Sequence, residues 1–433
     1  MLLSKIKGKR VAIGIIGLGY VGLPLAIEIA KNGYKVLGID IDIDKINYLN
    51  EGISYIDGVT NEDLKYLIKN KLLMVTTDST ILKTVDCIII CVPTPIDEYK
   101  VPNTSYIENS IKEISKNFHR NMLVVLESTT YPGTTEELLL PNLKASGLQP
   151  GKDFHLAYSA ERMDPGNKEY NVKNTTKVVG GVTDNCTKMA AAFYKNTIGC
   201  DVYKVSSPKV AEMCKILENT YRNINIALAN EMAIICDKIG IDIWEVIDAA
   251  ETKPYGFQSF YPGPGVGGHC IPVDPLYLMW KAREYDYHTR LIGISDEINS
   301  SMPDFVLEKT IKILNRVNKP LKGAKILMVG VAYKQDIDDI RESPALKVLE
   351  RLEKEGAIVE YYDPFVPQFR WKSKMYKSKD LAIDKIKEKD IVIITTAHTK
   401  MEYNKIVENA QIVFDTKNVT KNMENNRENI IKL

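Results

Sequence analysis

Residues 11–40 read VAIGIIGLGYVGLPLAIEIAKNGYKVLGID, and the order of their parts decides the fold. A β-branched run, Val11–Ile16, meets Gly17-Leu18-Gly19-Tyr20-Val21-Gly22, then a helical stretch to about Lys31 and a second apolar run, Lys35–Ile39, ending in Asp40. Strand, glycine turn, helix, strand and acid together form the dinucleotide-binding pattern in its required context. Gly17 permits the tight turn, Gly19 lets a pyrophosphate come close, and Gly22 lets helix pack on strand. Tyr20 and Val21 lie between them, where the helix N-terminus faces the phosphates. Asp40 is placed to accept from a ribose diol and to repel a 2′-phosphate, so NAD is expected rather than NADP. Lys45 is a candidate for the adenosine end, a solvated helix face being the alternative. Lys5, Lys7, Lys9 and Arg10 before this run mimic a signal peptide or membrane anchor, but its glycines and Pro24 fit strand, turn and helix better.

The alternation continues outward. Val85–Val92 and Met122–Glu127 read as strands, followed by Pro93-Thr94-Pro95 and Ser128-Thr129-Thr130-Tyr131-Pro132-Gly133. Ligands in open parallel sheets sit beyond the carboxyl ends of strands, so Thr94 and Thr130 are candidates to line the nicotinamide side. A third such edge, His155–Tyr158, leads to Glu161, a candidate base or water-orienting acid, with a plain loop carboxylate as the alternative. Ser207-Pro208 then starts a helix that runs to Ile239 and stops at Gly240, about 45 Å of helix at 1.5 Å per residue. Lys215 and Asn219 share one face of it.

The stretch Gly263–Pro275, GPGVGGHCIPVDP, places Cys270 behind four glycines, with His269 beside it and Asp274 four residues on. Such a loop is costly to order, and a thiol is the strongest nucleophile available to a chain at neutral pH. The other six cysteines stand on apolar or ordinary positions and read as small buried hydrophobes. After a further helix to about Asn315 a second α/β unit begins, with strands at Lys325–Val329, Ile358–Tyr362 and Ile391–Thr395 and a helix at Pro344–Glu355. Its first turn, Gly330-Val331-Ala332-Tyr333-Lys334, lacks the three-glycine pattern. Lys334 and Arg341 offer positive charge suited to a phosphate or pyrophosphate. The Asn- and Lys-rich tail from Lys417 is expected to be loose.

The fold class expected is α/β: two Rossmann-like, doubly wound parallel-sheet domains joined by a central helical domain with one long helix. The boundaries are 1–205 for NAD binding, 206–318 for the helical segment with the cysteine loop, and 319–433 for a second nucleotide-like domain. A net charge of +1 gives no reason to expect nucleic acid or an acidic membrane as partner. Seven cysteines without a CxxC pair fit a reducing compartment, and a cytoplasmic location is expected. The five histidines form no metal-ligand pattern. The long helix suggests pairing with a second copy, as a homodimer or higher homo-oligomer.

GLGYVGLPLA, ESTTYPGTT, YSAERMDPGN, the ALANEMA helix, GGHCIPVDP and GVAYKQDIDDIRESPAL follow one another in this chain. In that order they resemble the nucleotide-sugar 6-dehydrogenases, the UDP-glucose and GDP-mannose dehydrogenase superfamily, over nearly the whole length. UDP-glucose members tend to carry GGxCFxKD. Here Gly267-Gly268-His269-Cys270-Ile271-Pro272-Val273-Asp274 looks like the branch acting on UDP-N-acetylhexosamines.

The resemblance implies NAD-dependent, four-electron oxidation of a sugar C6 alcohol to a carboxylate, through a thiohemiacetal and a thioester on Cys270. It implies that Lys215 and Asn219 stabilise the oxyanion, and that Asp274 accepts a proton through water. Glu161 activates the hydrolytic water, Thr130 holds it, and Lys334 binds the UDP portion. Arg341 brings charge to the closed site and the cofactor. Gly267 and His269 lie against the substrate, His269 touching an acetamido group, tuning Cys270 or filling the loop. Two other classes remain open on the sequence: a two-electron β-hydroxyacid dehydrogenase, which would lack the cysteine and the C-terminal unit, and an NAD-sensing module without turnover.

Overall fold

The computed structural model describes residues 1–56, 58–163, 169–423 and 428–433; the 164–167 end of the YSAERMDPGN motif and part of the tail lie outside the described residues. The chain divides into two compact units, Met1–Glu218 with Leu276–Tyr287, and Asn219–Pro275 with His288–Leu433. The expected central segment, 206–318, is thus shared between them.

The first unit is built on an eight-stranded sheet. Its strands are β1 (Ala12–Ile16), β2 (Lys35–Ile39), β3 (Leu73–Thr76), β4 (Cys87–Ile90), β5 (Leu123–Leu126), β6 (His155–Ser159), β7 (Lys177–Gly181) and β8 (Val202–Lys204). The order is β3-β2-β1-β4-β5-β6-β7-β8. All neighbours are parallel except β6 and β7, which pair antiparallel with Ser159 opposite Val179. The order reverses between β1 and β4, which opens a crevice at the carboxyl ends of the strands there. β4 and β5 are buried throughout, as continuous apolar runs are when helices cover both faces of a parallel sheet. Ile13, Ile15, Leu23 and Ala26 pack on one face, and Ile88, Ile90, Val124 and Leu156 on the other.

The helix Pro208–Ile239 has 32 residues. Ser207 Oγ accepts from Val210 N at 3.3 Å at its start, and Gly240 takes φ 76° at its end, as a left-handed terminator should. The second unit holds most of this helix, the helix Arg290–Arg316, and a parallel sheet of order β10-β9-β13-β14-β15. That sheet comprises β9 (Lys325–Val329), β10 (Ile358–Tyr362), β13 (Ile391–Ile394), β14 (Val413–Asp415) and β15 (Ile430–Lys432), with a hairpin, β11 (Gln368–Trp371) and β12 (Lys374–Lys377), beside it. The tail is not loose at its end: Ile430–Lys432 adds to β14 in parallel register, and Leu433 is buried. Among the described residues no helix is long and apolar enough to cross a membrane.

Candidate active site

The glycine turn after β1 is shaped by two close approaches and one opening. Gly17 has φ 90°, and a Cβ there would lie 2.5 Å from the carbonyl oxygen of Cys91; a Cβ on Gly22 would lie 1.9 Å from Gly17 O. A Cβ on Gly19 would meet nothing within 4 Å, so the middle glycine faces open space flanked by half-buried Tyr20 and Val21. Asp40, at the end of β2, accepts from Leu18 N at 2.8 Å with one oxygen and from Asp42 N at 3.0 Å with the other. Each oxygen keeps a lone pair for a diol. An open glycine above a helix N-terminus, with a buried carboxylate at the neighbouring strand end, fits NAD. Lys45 pairs with Asp42 at 3.7 Å and is partly exposed, as on a solvated helix face. Thr94 is half-buried, and its carbonyl accepts from the Tyr277 hydroxyl.

The turn after β5 is tied to the long helix. Glu212 accepts from Gly133 N at 2.5 Å, Thr135 N at 2.9 Å and the Thr135 hydroxyl at 2.7 Å. Within that turn Thr134 donates to Tyr131 O at 2.7 Å, so the Thr130 hydroxyl gives its proton to Thr134 and retains only acceptor capacity. Thr130 is fully buried, whereas its neighbour Thr129 is half-exposed. Glu161, beyond β6, is buried; its carboxylate accepts from Met163 N at 2.6 Å and from Lys177 Nζ at 2.9 Å. Burial alone would push its pKa up. The charge and hydrogen bond of Lys177, the Met163 N–H and the charge of Lys215 outweigh that and hold it below the usual carboxylate value. Lys215 itself is buried, on the same helix as Glu212.

In the second unit the cysteine loop is held from beneath by asparagines of the long helix. Asn219 Nδ2 donates to Asp274 Oδ2 at 2.5 Å, Asn223 Nδ2 to Ile271 O at 3.0 Å, and Gly263 N donates to Asn230 Oδ1 at 3.0 Å. Asn299, on the helix Arg290–Arg316, completes the ladder, donating to Asn223 O at 3.0 Å and accepting from Asn230 at 2.9 Å. Cys270 is exposed, while five of the other six cysteines are buried and Cys214 is half-buried. Its carbonyl accepts from Val273 N at 3.1 Å and Asp274 N at 2.8 Å, a turn that opens the helix Asp274–Ala282.

The glycines are there because the loop lies directly on the turn after β9. A Cβ on Gly267 would lie 2.7 Å from Tyr333 Cβ and 2.8 Å from Pro344 Cδ; one on Gly268, where φ is 83°, would lie 2.7 Å from the Tyr333 ring. Gly268 N donates to Arg341 O at 3.1 Å. Arg341 in turn forks onto the Asp339 carboxylate, with contacts from 2.6 to 3.0 Å. His269 is half-buried; burial, then the Arg341 charge, depress its pKa, against Asp339 and Glu342, so the ring is neutral at neutral pH.

The turn after β9 ends at half-buried Lys334. Asp363 occupies in this unit the place Asp40 has in the first, accepting from Val331 N at 2.7 Å and Ala332 N at 3.1 Å. Lys417, two residues past β14, brings its ammonium to the loop: a Cβ on Gly263 would lie 3.0 Å from its Nζ. Burial lowers its pKa against the charge of Asp415, and among the described residues it forms no ion pair.

The first unit therefore carries the glycine turn, Asp40, Thr94, Thr130, Glu161 and Lys215, and the second carries Asn219, Gly267, His269, Cys270, Asp274, Lys334 and Arg341. The sequence reading missed Lys177, Glu127, Glu212, Lys417 and the asparagine ladder. Only the ladder left a local signal, three asparagines at helical spacing, 219, 223 and 230.

Comparison with known proteins gives three consecutive family matches. Residues 11–198 match the NAD binding domain, 209–301 the central domain and 327–422 the UDP binding domain of the UDP-glucose/GDP-mannose dehydrogenase family. The chain is 38% identical to the protein CapL of Staphylococcus aureus over 96% of its own length and 97% of that protein's. It is also 38% identical to the UDP-N-acetyl-D-glucosamine 6-dehydrogenase of Pseudomonas aeruginosa, over 83% of this chain and 84% of the other. The solved UDP-D-ManNAc dehydrogenase of Pyrococcus horikoshii superposes with a TM-score of 0.88 at 33% identity, over 97% of this chain and 98% of that one.

Proposed function

The chain belongs to the UDP-glucose/GDP-mannose dehydrogenase family and is an NAD-dependent oxidoreductase; from this premise we propose that it oxidises the C6 hydroxyl of a UDP-N-acetylhexosamine to the uronic acid. The observation that carries the reading is Cys270, the exposed thiol, on a loop braced by the asparagine ladder and followed at once by the Asn219–Asp274 pair. Relatives named for N-acetylglucosamine and N-acetylmannosamine substrates support the sugar class, as does the His269-Cys270-Ile271-Pro272 loop in place of the UDP-glucose pattern. UDP-glucose and GDP-mannose are the alternative substrates.

NAD⁺ supplies the hydride acceptor when bound, and two are consumed per sugar. Lys215 and Asn219 stabilise the alkoxide as the alcohol loses its proton, with Asp274 receiving that proton through water. Cys270 thiolate adds to the aldehyde carbon, because an aldehyde holds no transferable hydride until a nucleophile has raised the carbon to a tetrahedral thiohemiacetal. Loss of the second hydride leaves a thioester. Water then attacks the acyl carbon, Glu161 takes the water proton, and the C–S bond breaks to return the thiolate. Thr130, an acceptor only, shapes the turn beside this water. Lys334 and Lys417 bind the diphosphate of UDP, Gly267 and His269 lie against the sugar, and Arg341 serves the cofactor side.

The domains in this reading are 1–205, 206–318 and 319–433, which the three family matches support. The long helix leaves Tyr221, Leu228, Met232, Ile235 and Ile239 exposed at spacings of seven, four, three and four, a seam that suits a second copy of the chain. We assign a homodimer in the cytoplasm, where UDP-sugars and NAD occur together, making an acidic sugar donor for a surface polysaccharide. Purified protein, NAD⁺ and a panel of UDP-sugars test the reaction. Two NADH per UDP-N-acetylhexosamine are expected; one NADH per sugar would overturn the thioester route, and turnover of UDP-glucose alone would overturn the substrate class.

A further inference from the structure

Three strand ends of the first unit converge on a buried charge cluster of which the reaction scheme uses Glu161 alone. Lys177 Nζ lies 2.9 Å from Glu127 Oε2 and 2.9 Å from Glu161 Oε2. Glu127 follows β5 and is 1% exposed, Glu161 follows β6 at 7%, and Lys177, which opens β7, is 4% exposed. The antiparallel register makes the meeting: with Ser159 opposite Val179, two residues further places Glu161 opposite Lys177 on the same face. Tyr194 donates its hydroxyl to the other oxygen of Glu127, and the Lys177 ammonium lies 5.2 Å from the Tyr194 ring centre.

A buried ion pair is weak evidence for stability, since apolar residues of similar volume often serve as well. Here two carboxylates share one ammonium, so the trio carries a surplus negative charge. That is a poor strut and a good electrostatic bias. Glu161 has each oxygen fixed by one donor, Met163 N and Lys177 Nζ, leaving one lone pair per oxygen. The surplus falls on Glu127, which burial foremost, with Glu161's repulsion, raises to about 7 against the pull of Lys177 and Tyr194.

We propose that Lys177 is a positioning residue for thioester hydrolysis: its ammonium, clamped between Glu127 and Glu161, keeps Glu161 anionic and turned as the proton acceptor, with Glu127 as the group that absorbs the surplus charge. This rests on the reading of Glu161 as the base toward water. In the step concerned, water oxygen bonds to the acyl carbon, one water proton passes to Glu161, and the carbon–sulfur electron pair leaves on Cys270. Among the described residues, the charged and titratable groups facing Glu161 are Lys177, Lys215, Glu127 and the thiol of Cys91; those facing Glu127 are Lys177, Glu161, Tyr194 and the thiols of Cys91 and Cys200.

The test uses the full-length enzyme with NAD⁺ and whichever of UDP-N-acetylglucosamine, UDP-N-acetylgalactosamine and UDP-N-acetylmannosamine the NADH count selects. Lys177→Met is expected to lower kcat by roughly ten- to a hundredfold with KM within about threefold, to accumulate an acyl adduct on Cys270 in intact-protein mass spectra, and to move the acidic limb of the kcat profile up by about one pH unit or more. Lys177→Arg and the double variant Lys177→Met/Glu127→Gln, which restores the charge count, should return that limb toward its original position. An unmoved limb with no adduct would reduce Lys177 to a strut. Should Lys177→Met fail to fold, Glu127→Gln decides: removing the repelling charge is expected to move the limb down, and no movement overturns the proposal. Glu161→Gln separates the premise from the inference, because normal clearance of the adduct in that variant would sink Glu161 as base whatever Lys177 does.

Discussion

Replacing Gly267 by alanine tests whether the cysteine loop is positioned by direct contact with the turn after β9. The added Cβ would lie 2.7 Å from Tyr333 Cβ, 2.8 Å from Pro344 Cδ and 3.0 Å from Glu342 O. Carbon atoms prefer about 3.5–4.0 Å, so the loop must lift by roughly 1 Å. None of the three atoms is the free end of a flexible side chain, so overpacking of about 1–3 kcal/mol is expected. In a unit of this size that lowers the melting temperature by roughly 2–12 °C. Cys270 lies three residues on, and a displacement of about 1 Å at a reacting group can remove a hundredfold in rate. Gly268→Ala is the comparison. Its clash is with the Tyr333 ring, and its φ of 83° adds about 1–2 kcal/mol for a left-handed alanine. Truncating Tyr333 to alanine should therefore recover part of the loss in Gly268→Ala and none in Gly267→Ala, whose clash is with a Cβ that alanine retains. Thermal denaturation and kcat values of the three single variants and of the two doubles with Tyr333→Ala give the two cycles. A Gly267→Ala protein with unchanged melting temperature and unchanged kcat would refute the close-contact account.

Gly19→Ala should behave in the opposite way: with nothing within 4 Å of the new Cβ, the melting temperature without ligand is expected to stay within about 1 °C. The stabilisation conferred by saturating NAD⁺ should fall, since binding to the native state alone sets that increment; a full NAD⁺ shift would show that the pyrophosphate does not pass over Gly19. Lys417 has a pKa depressed by burial. A depressed lysine means that the unfolded chain binds the proton more tightly, so the penalty is fully present below the folded-state pKa and fades as pH rises from there to the unfolded-state value. Lys417→Met should accordingly raise the melting temperature at pH 7 while weakening UDP binding about tenfold or more by calorimetry. Unaltered UDP affinity would remove Lys417 from the diphosphate site.

What was legible in the sequence was local. The glycine turn with Asp40, and Cys270 among its glycines, are readable because each is a few residues whose spacing dictates backbone shape. β2, β9 and β10 fall where their apolar runs predict, while β4 and β5 are shorter than theirs at both ends. What stayed hidden was pairing over distance. Lys177 joins Glu161 only because β7 reverses direction against β6, and nothing in the residues of Lys177–Gly181 announces that reversal. Lys417 meets Gly263 across more than a hundred residues of chain. The tail read as loose from its composition, yet three of its residues complete a sheet whose edge the composition could not reveal.

The Glu212 cap sets a rule for anyone recombining this protein with another. A junction at residue 205, the boundary that the sequence suggests, would graft a foreign N-terminal module onto a helix that still carries Glu212. Its carboxylate would then have no Gly133 and Thr135 N–H groups to receive. A buried, uncompensated acid is among the more damaging defects that a fusion can introduce. The natural seam for such chimaeras falls after Glu218, so the first turns of the long helix should be inherited with the sheet and not with the helix that continues them.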